Sequence, residues 1–191
     1  MTVLKTSPFA AEINKDSKIA PKSYHDFYPA LVGLLLGLLQ TGLFFQLTFT
    51  LSSTFGTFLL VTLCWLVGSA VGVLYLNRMT TRTQVFLGVA LLAYAACGGL
   101  LALFPFGTAL WPLYAGLILI TGFYPGVFFA RMEQHFPARI LFARENNGFI
   151  LGLVLGTILF MLAGRIILWV LPLTVAMIVI WLDRGGQPKN V

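Results

Sequence analysis

Six apolar segments, separated by short polar or glycine-containing connections, set the pattern of this chain: residues 27–50, 57–76, 84–104, 108–130, 148–163 and 166–182. Each is near the ~20 residues that a helix needs to cross a hydrocarbon core of about 30 Å. None alternates in polarity over about ten residues, as a barrel strand would, and a long apolar helix satisfies its own backbone hydrogen bonds in lipid. The pattern predicts an all-α polytopic membrane protein with six transmembrane helices. The fifth and sixth segments are short and meet at Gly164-Arg165. That junction predicts a tight hairpin, with Arg165 as a snorkelling end residue rather than an intramembrane charge.

Composition agrees with the pattern. Hydrophobic residues make up 59% of the chain and charged residues 9%, against roughly 25% charged in a soluble domain. The expected division is a cytoplasmic polar tail at 1–26, a transmembrane domain at 27–182 and a second cytoplasmic tail at 183–191, with no room for a further folded domain in 191 residues. The first tail has no continuous apolar core followed by a small-residue cleavage site, so it reads as retained. It is either a solvated flank or a segment that lies on anionic lipid or docks a partner.

Charge sets the expected orientation. Of 12 Lys and Arg, only Arg165 falls on one side. Lys5, Lys15, Lys18, Lys22, Arg78, Arg82, Arg131, Arg139, Arg144, Arg184 and Lys189 fall on the other. The connections 51–56 and 105–107 carry no charge. Because Lys and Arg accumulate in short cytoplasmic loops, both termini are expected to be cytoplasmic.

Glycines recur at four-residue spacing as Gly33/Gly37, Gly68/Gly72, Gly122/Gly126 and Gly148/Gly152/Gly156. Such spacing puts them on one helical face and lets another helix approach closely in lipid. They fall in segments one, two, four and five. If segments one to three and four to six are repeats of opposite topology, these are corresponding segments, as in half of a transporter of the major-facilitator type. Independent packing faces in a six-helix bundle would give the same glycines.

The glycine pair in FLLVTLCWLVGSAVGVLYLNR and the run GFYPGVFFAR…FARENNGFILGLVLG resemble the membrane domain found ahead of the synthase domain in bacterial fused spermidine synthase-like proteins. The resemblance covers roughly residues 31–156 and rests on Gly68, Gly72, Arg78, Pro125, Phe142, Ala143, Arg144, Gly148 and Gly152. Glu145 stands where the family pattern has asparagine, followed by Asn146 and Asn147. The chain ends at Val191 without a Gly-rich nucleoside loop or an acidic polyamine cluster. The resemblance therefore implies a half-transporter-like module of a bacterial inner membrane, without an enzyme.

Candidate chemistry is sparse. His25 and His135 lie outside the segments, so no imidazole pair is placed to ligate a haem between helices. Cys64 and Cys97 are not a CxxC pair and read as small packing residues, with a disulfide or metal pair as the alternative. No cofactor and no metal site are expected. Gln40 and Gln46 are the costliest segment residues to expose to lipid. They are expected either to bond between helices or to line a polar path. No Asp, Glu, Lys, Arg or His falls in the middle of a segment, which disfavours proton-coupled or cation transport. Between segments four and five, 137–145 reads as a short interfacial helix. There Arg139, Arg144 and Glu145 either anchor the hairpin or form a docking loop for a partner.

These features point to a non-catalytic integral subunit or assembly factor that packs on other membrane helices in a larger complex. The alternative is a small, dimeric carrier for a neutral or amphipathic solute. Expected partners are membrane lipids and other membrane subunits or a second copy, and no nucleic acid.

Overall fold

The computed structural model describes residues 26–51, 55–76 and 82–185. Every regular element among them is helical: α1 (Tyr28–Thr50), α2 (Phe55–Leu76), α3 (Thr83–Leu103), a 3-10 turn at Thr108–Leu110, α4 (Trp111–Met132), α5 (Ala138–Ala163), a second 3-10 turn at Gly164–Ile166, and α6 (Ile167–Gly185). Pro29 and Pro112 occupy the first turns of α1 and α4, where no helical N–H is lost and the fixed φ is already helical. Pro125 and Pro172 lie inside α4 and α6 and are buried. Proline is tolerated in apolar helices where neighbouring groups compensate the freed carbonyl.

Five stretches are long and apolar enough to cross a membrane: Tyr28–Thr50, Phe55–Tyr75, Thr83–Leu103, Trp111–Met132 and Ala138–Asp183. An all-helical chain with these stretches fits a polytopic membrane protein. The last stretch, of 46 residues, is about twice as long as the others and is folded in two. Its turn is Gly164, with φ 72° and ψ −157°, a backbone conformation open to glycine almost alone.

Contacts between elements fix their directions. At one end, Arg131 Nη1 donates to Thr83 Oγ1 at 2.9 Å, Gln84 Nε2 donates to Asp183 Oδ2 at 2.9 Å, and Arg144 Nη1 meets Asp26 Oδ1 at 3.2 Å. Toward the other end, the Phe106 N–H donates to the Thr50 carbonyl at 3.0 Å and the Tyr94 hydroxyl donates to the Leu168 carbonyl. Helices α1, α3 and α5 therefore run one way, and α2, α4 and α6 the other. Arg82, Arg131 and Arg144 stand at the first end and Arg165 at the second.

Buried residues of α1 such as Val32, Leu35, Leu36, Leu39, Leu43 and Leu47 form the middle of the core. Two parallel helix pairs build the rest of the frame. In the first, Gly33 and Gly37 of α1 face Glu145, Phe149 and Gly152 of α5, while Gly148 and Gly152 face Ala30 and Leu34. In the second, Gly68 and Gly72 of α2 face Leu119, Phe123 and Gly126 of α4, while Gly122 and Gly126 face Trp65 and Ser69. At these eight glycines an added Cβ would come within 3.0 Å of neighbouring backbone, closer than atoms pack. The two backbones touch, which is how membrane helices gain dispersion energy without help from water. Ser69 ties the second seam: its hydroxyl lies 2.9 Å from the Gly122 carbonyl and 3.0 Å from the Trp65 carbonyl.

The structure corrects the sequence reading around residues 137–148. No separate interfacial helix exists there, because α5 runs unbroken from Ala138 to Ala163 with Pro137 as its N-cap residue. No Gly or Pro interrupts 138–147, and Leu141, Glu145, Gly148, Gly152 and Gly156 form one buried stripe at helical spacing. The packing face thus begins two turns before the apolar run does. Residues 108–110 form a 3-10 turn rather than the start of α4. The polar tails lie outside the described residues except for Asp26 and 183–185, as do Arg78 and His25.

Candidate functional site

The structure separates the two glutamines that the sequence grouped as one polar path. Six residues along a helix is about 120° around it, so Gln40 and Gln46 leave α1 on different sides. Gln46 is 2% exposed and points into the interior. Its Nε2 donates to the Tyr94 hydroxyl at 3.0 Å, and that hydroxyl donates in turn to the Leu168 carbonyl. Gln46 Oε1 is buried and accepts no hydrogen bond within the described residues. The chain Gln46–Tyr94–Leu168 joins α1, α3 and α6.

Gln40 belongs to a cavity of about 260 Å³ between α1, α2 and α5. Three helical stripes form its wall: Gln40, Thr41, Phe44 and Phe45 on α1; Phe58, Val61 and Thr62 on α2; Phe149, Leu153 and Thr157 on α5. None of these side chains titrates. Phe44 and Phe58 meet edge to face with centroids 6.2 Å apart, and Phe58 is 48% exposed at the rim. Thr41 is 5% exposed, and its hydroxyl has no hydrogen-bond partner within the described residues. The Thr157 hydroxyl is turned onto the Leu153 carbonyl of its own helix at 2.8 Å. The site is an apolar recess with a few hydrogen-bonding groups, the usual make-up of a small-molecule pocket.

The nine glycines do not share one role. Eight of them line the two seams inside the chain, so they are closed to any partner. Gly156 is buried but meets only side chains, with an added Cβ at 3.3 Å from Leu38 Cδ2 and Thr41 Cγ2. Open glycines do occur elsewhere: Gly88 and Gly99 on α3 and Gly116 on α4 have nothing within 4 Å of an added Cβ.

The three residues of the expected docking loop face different ways. Arg139 is exposed. Arg144 Nη1 donates to the Asp26 carbonyl at 2.6 Å as well as meeting its carboxylate. Glu145 is 8% exposed, beneath the backbone of Gly33. They are parts of α5 and its seam with α1 rather than one surface.

Cys64 and Cys97 are free thiols, half-buried on α2 and buried on α3. His135 is exposed, with Nδ1 at 3.2 Å from the Arg131 carbonyl oxygen. Among the described residues, no group of three His, Cys, Asp or Glu is placed to hold a metal ion.

Two features escaped the sequence reading. Tyr94 sits in an unremarkable alanine-rich helix, and nothing local marks it as the partner of a glutamine 48 residues away. The cavity left a clearer trace: Gln40 and Phe44, Phe58 and Thr62, and Phe149, Leu153 and Thr157 are each spaced by four. Each is an aromatic stripe that carries a polar group on the same helical face.

Scans against family models, curated proteins and solved structures each return no match. The class that the fold defines is a polytopic helical membrane protein.

Proposed function

We propose that the chain is a six-crossing membrane module made of two three-helix halves of opposite orientation, acting as half of a carrier for an uncharged or amphipathic solute. The observation that carries the reading is the register of the seams. Ala30 meets Gly148 as Leu119 meets Gly68, and Leu34 meets Gly152 as Phe123 meets Gly72. In return, Gly33 rests on Glu145 as Gly122 rests on Trp65, and Gly37 meets Phe149 and Leu153 as Gly126 meets Ser69 and Val73. The nearest backbone contact of each seam glycine in the pair α1–α5 thus has its counterpart in the pair α4–α2, whereas Gly156 has none, since Leu76 stands at the matching place. Parallel glycine pairs favour such a register wherever they pack; its occurrence between the corresponding helices of both halves is what a repeat of opposite topology requires. Matched halves of opposite topology are the architecture in which one half can rock against the other around a central site.

The cavity supplies such a site, and its lack of titratable groups favours an uncharged solute. Both termini are placed in the cytoplasm, by the positive-inside argument. The resemblance to the membrane domain of fused spermidine synthase-like proteins points the same way, towards a half-transporter-like module.

A second reading, a non-catalytic subunit or assembly factor of a larger membrane complex, rests on a different observation. The seam glycines are occupied, but Gly88 and Gly99 lie open on α3. Eleven residues is about 20° around a helix, so they share a face on which a foreign helix could rest.

One purification separates the readings. The tagged chain is extracted in mild detergent and reconstituted into liposomes. A chain that elutes alone or as a pair of copies and speeds the efflux of an uncharged amphiphile supports the carrier. Stoichiometric foreign subunits, with no efflux above empty liposomes, would replace it with the second reading.

A further inference from the structure

We propose that the cavity between α1, α2 and α5 is a binding site for a small uncharged amphiphile with a single hydrogen-bonding head. The head bonds to Gln40 and Thr41, and the apolar body lies among Phe44, Phe45, Phe58 and Phe149. This rests on the carrier reading above and names the solute class that such a carrier would take.

Three observations carry it. The first is size: 260 Å³ is just under the roughly 300 Å³ at which pockets for drug-sized ligands begin, so the occupant is small. The second is chemistry. The wall holds no ionisable side chain, so an ion inside it would lose its hydration without a counter-charge, at several kcal/mol. A neutral hydroxyl or amide loses far less and finds partners in the Gln40 amide and in the Thr41 hydroxyl, which lacks one.

The third observation shows that the polar wall is not forced by the fold. Gln40 lies three residues beyond Gly37, as Phe129 lies three beyond Gly126; Thr62 lies six before Gly68, as Phe142 lies six before Gly148. The repeat counterparts of Gln40 and Thr62 are therefore Phe129 and Phe142. In that half the two rings stack on each other, with centroids 4.8 Å apart and planes at 21°. The same fold position carries a stacked pair of rings in one half. In the other it carries an amide and a hydroxyl on the wall of the cavity.

The test is photolabelling of the full chain in lipid nanodiscs with an octanol that carries a diazirine. Expected is saturable labelling confined to residues 40–45, 58–62 and 149–157, displaced by plain octanol and more than about tenfold less well by ionised octanoate. Thr62→Phe, which copies the ring of the other half, should abolish the labelling. Gln40→Leu, of similar size, should weaken displacement several-fold. Both variants are first checked for wild-type elution and helicity, and if Thr62→Phe does not fold, Gln40→Leu decides alone.

Label spread evenly over α3 and α6, octanoate competing as well as octanol, or labelling unchanged in the folded variants would overturn the site. So would a diazirine-bearing phosphatidylcholine that labels the same segments and is not displaced by octanol, since the occupant would then be an acyl chain. Octanol bound here with no solute efflux from liposomes would sink the carrier reading and leave the site standing. Efflux that survives without labelling would do the reverse.

Discussion

Gly148→Ala and Gly156→Ala make the same change on the same helix eight residues apart, and the structure assigns them opposite signs. At Gly148 a methyl group would fall on the Ala30 carbonyl oxygen, well inside 3.0 Å, and both atoms belong to helix backbones that cannot swing aside. To make room, α1 and α5 must part by roughly 1 Å, and a gap of about that size forfeits a quarter to a half of the attraction of each contact along it. Overpacking of this kind costs ~1–3 kcal/mol. A seam that depends on backbone contact belongs at the upper end.

Alanine returns about 1 kcal/mol of helix propensity, which leaves a net loss near ~2 kcal/mol. At Gly156 the methyl meets Leu38 Cδ2 and Thr41 Cγ2 at 3.3 Å. Those side-chain ends can yield by a few tenths of an ångström, so the propensity gain survives and the variant should be neutral or more stable by up to ~1 kcal/mol. The assay is reversible unfolding in mixed micelles with increasing dodecyl sulfate, followed by circular dichroism. Gly68→Ala, the repeat counterpart of Gly148 on α2, should lose about as much as Gly148→Ala. Equal effects at 148 and 156, within about 0.5 kcal/mol, would refute the claim that the seams are backbone contacts.

The same assay reads four further changes. Gln46→Leu removes one interhelical hydrogen bond worth about 0.6 kcal/mol together with a buried acceptor that has no partner, so it should be neutral or stabilising. Tyr94→Phe strands both the Gln46 amide and the Leu168 carbonyl and should cost ~1–3 kcal/mol; the reverse order would mean that the network is wrongly assigned. Gly164→Ala forces a side chain into a φ of 72° and should destabilise by ~1–3 kcal/mol, with dodecyl sulfate sensitivity unchanged if the hairpin turn lies elsewhere. Arg144→Ala breaks an ion pair whose Asp26 side chain is 88% exposed. It should cost under ~1 kcal/mol, less in high salt, and a large salt-insensitive loss would show that Arg144 holds more than Asp26.

Much of the fold is legible in the apolar segments, because length and hydropathy alone set where a chain can cross lipid. The bounds of α1, α2 and α3 lie within two residues of the segments read from the sequence, and those of α6 within three. The start of α5 was not legible. Hydropathy marks where the chain enters apolar surroundings, whereas the helix begins at Ala138, just ahead of its packing stripe at Leu141 and Glu145. The glycine spacing announced close approach but not the partner: a face built for another helix looks the same whether that helix is in the same chain or a different one. Only the register of Gly33 on Glu145 and Gly122 on Trp65 assigns the seams to the chain itself. The cavity is half legible, since Gln40 stands out while nothing in the sequence sets Phe44, Phe45, Phe58 and Phe149 apart from the other phenylalanines of the apolar segments.

The central claim is that α5 and α6 form two crossings, so that the chain divides into three helices and three. Labelling of single cysteines in a Cys64→Ala, Cys97→Ala background with a membrane-impermeant maleimide, in intact cells and in inverted vesicles, tests it most directly. Cysteines introduced at Gly107 and Arg165 are predicted to label only from outside the cell, and one at His135 only from the cytoplasmic side. If Arg165→Cys labels from the same side as His135→Cys, residues 138–183 do not cross the membrane twice, and the account of two opposed halves is contradicted.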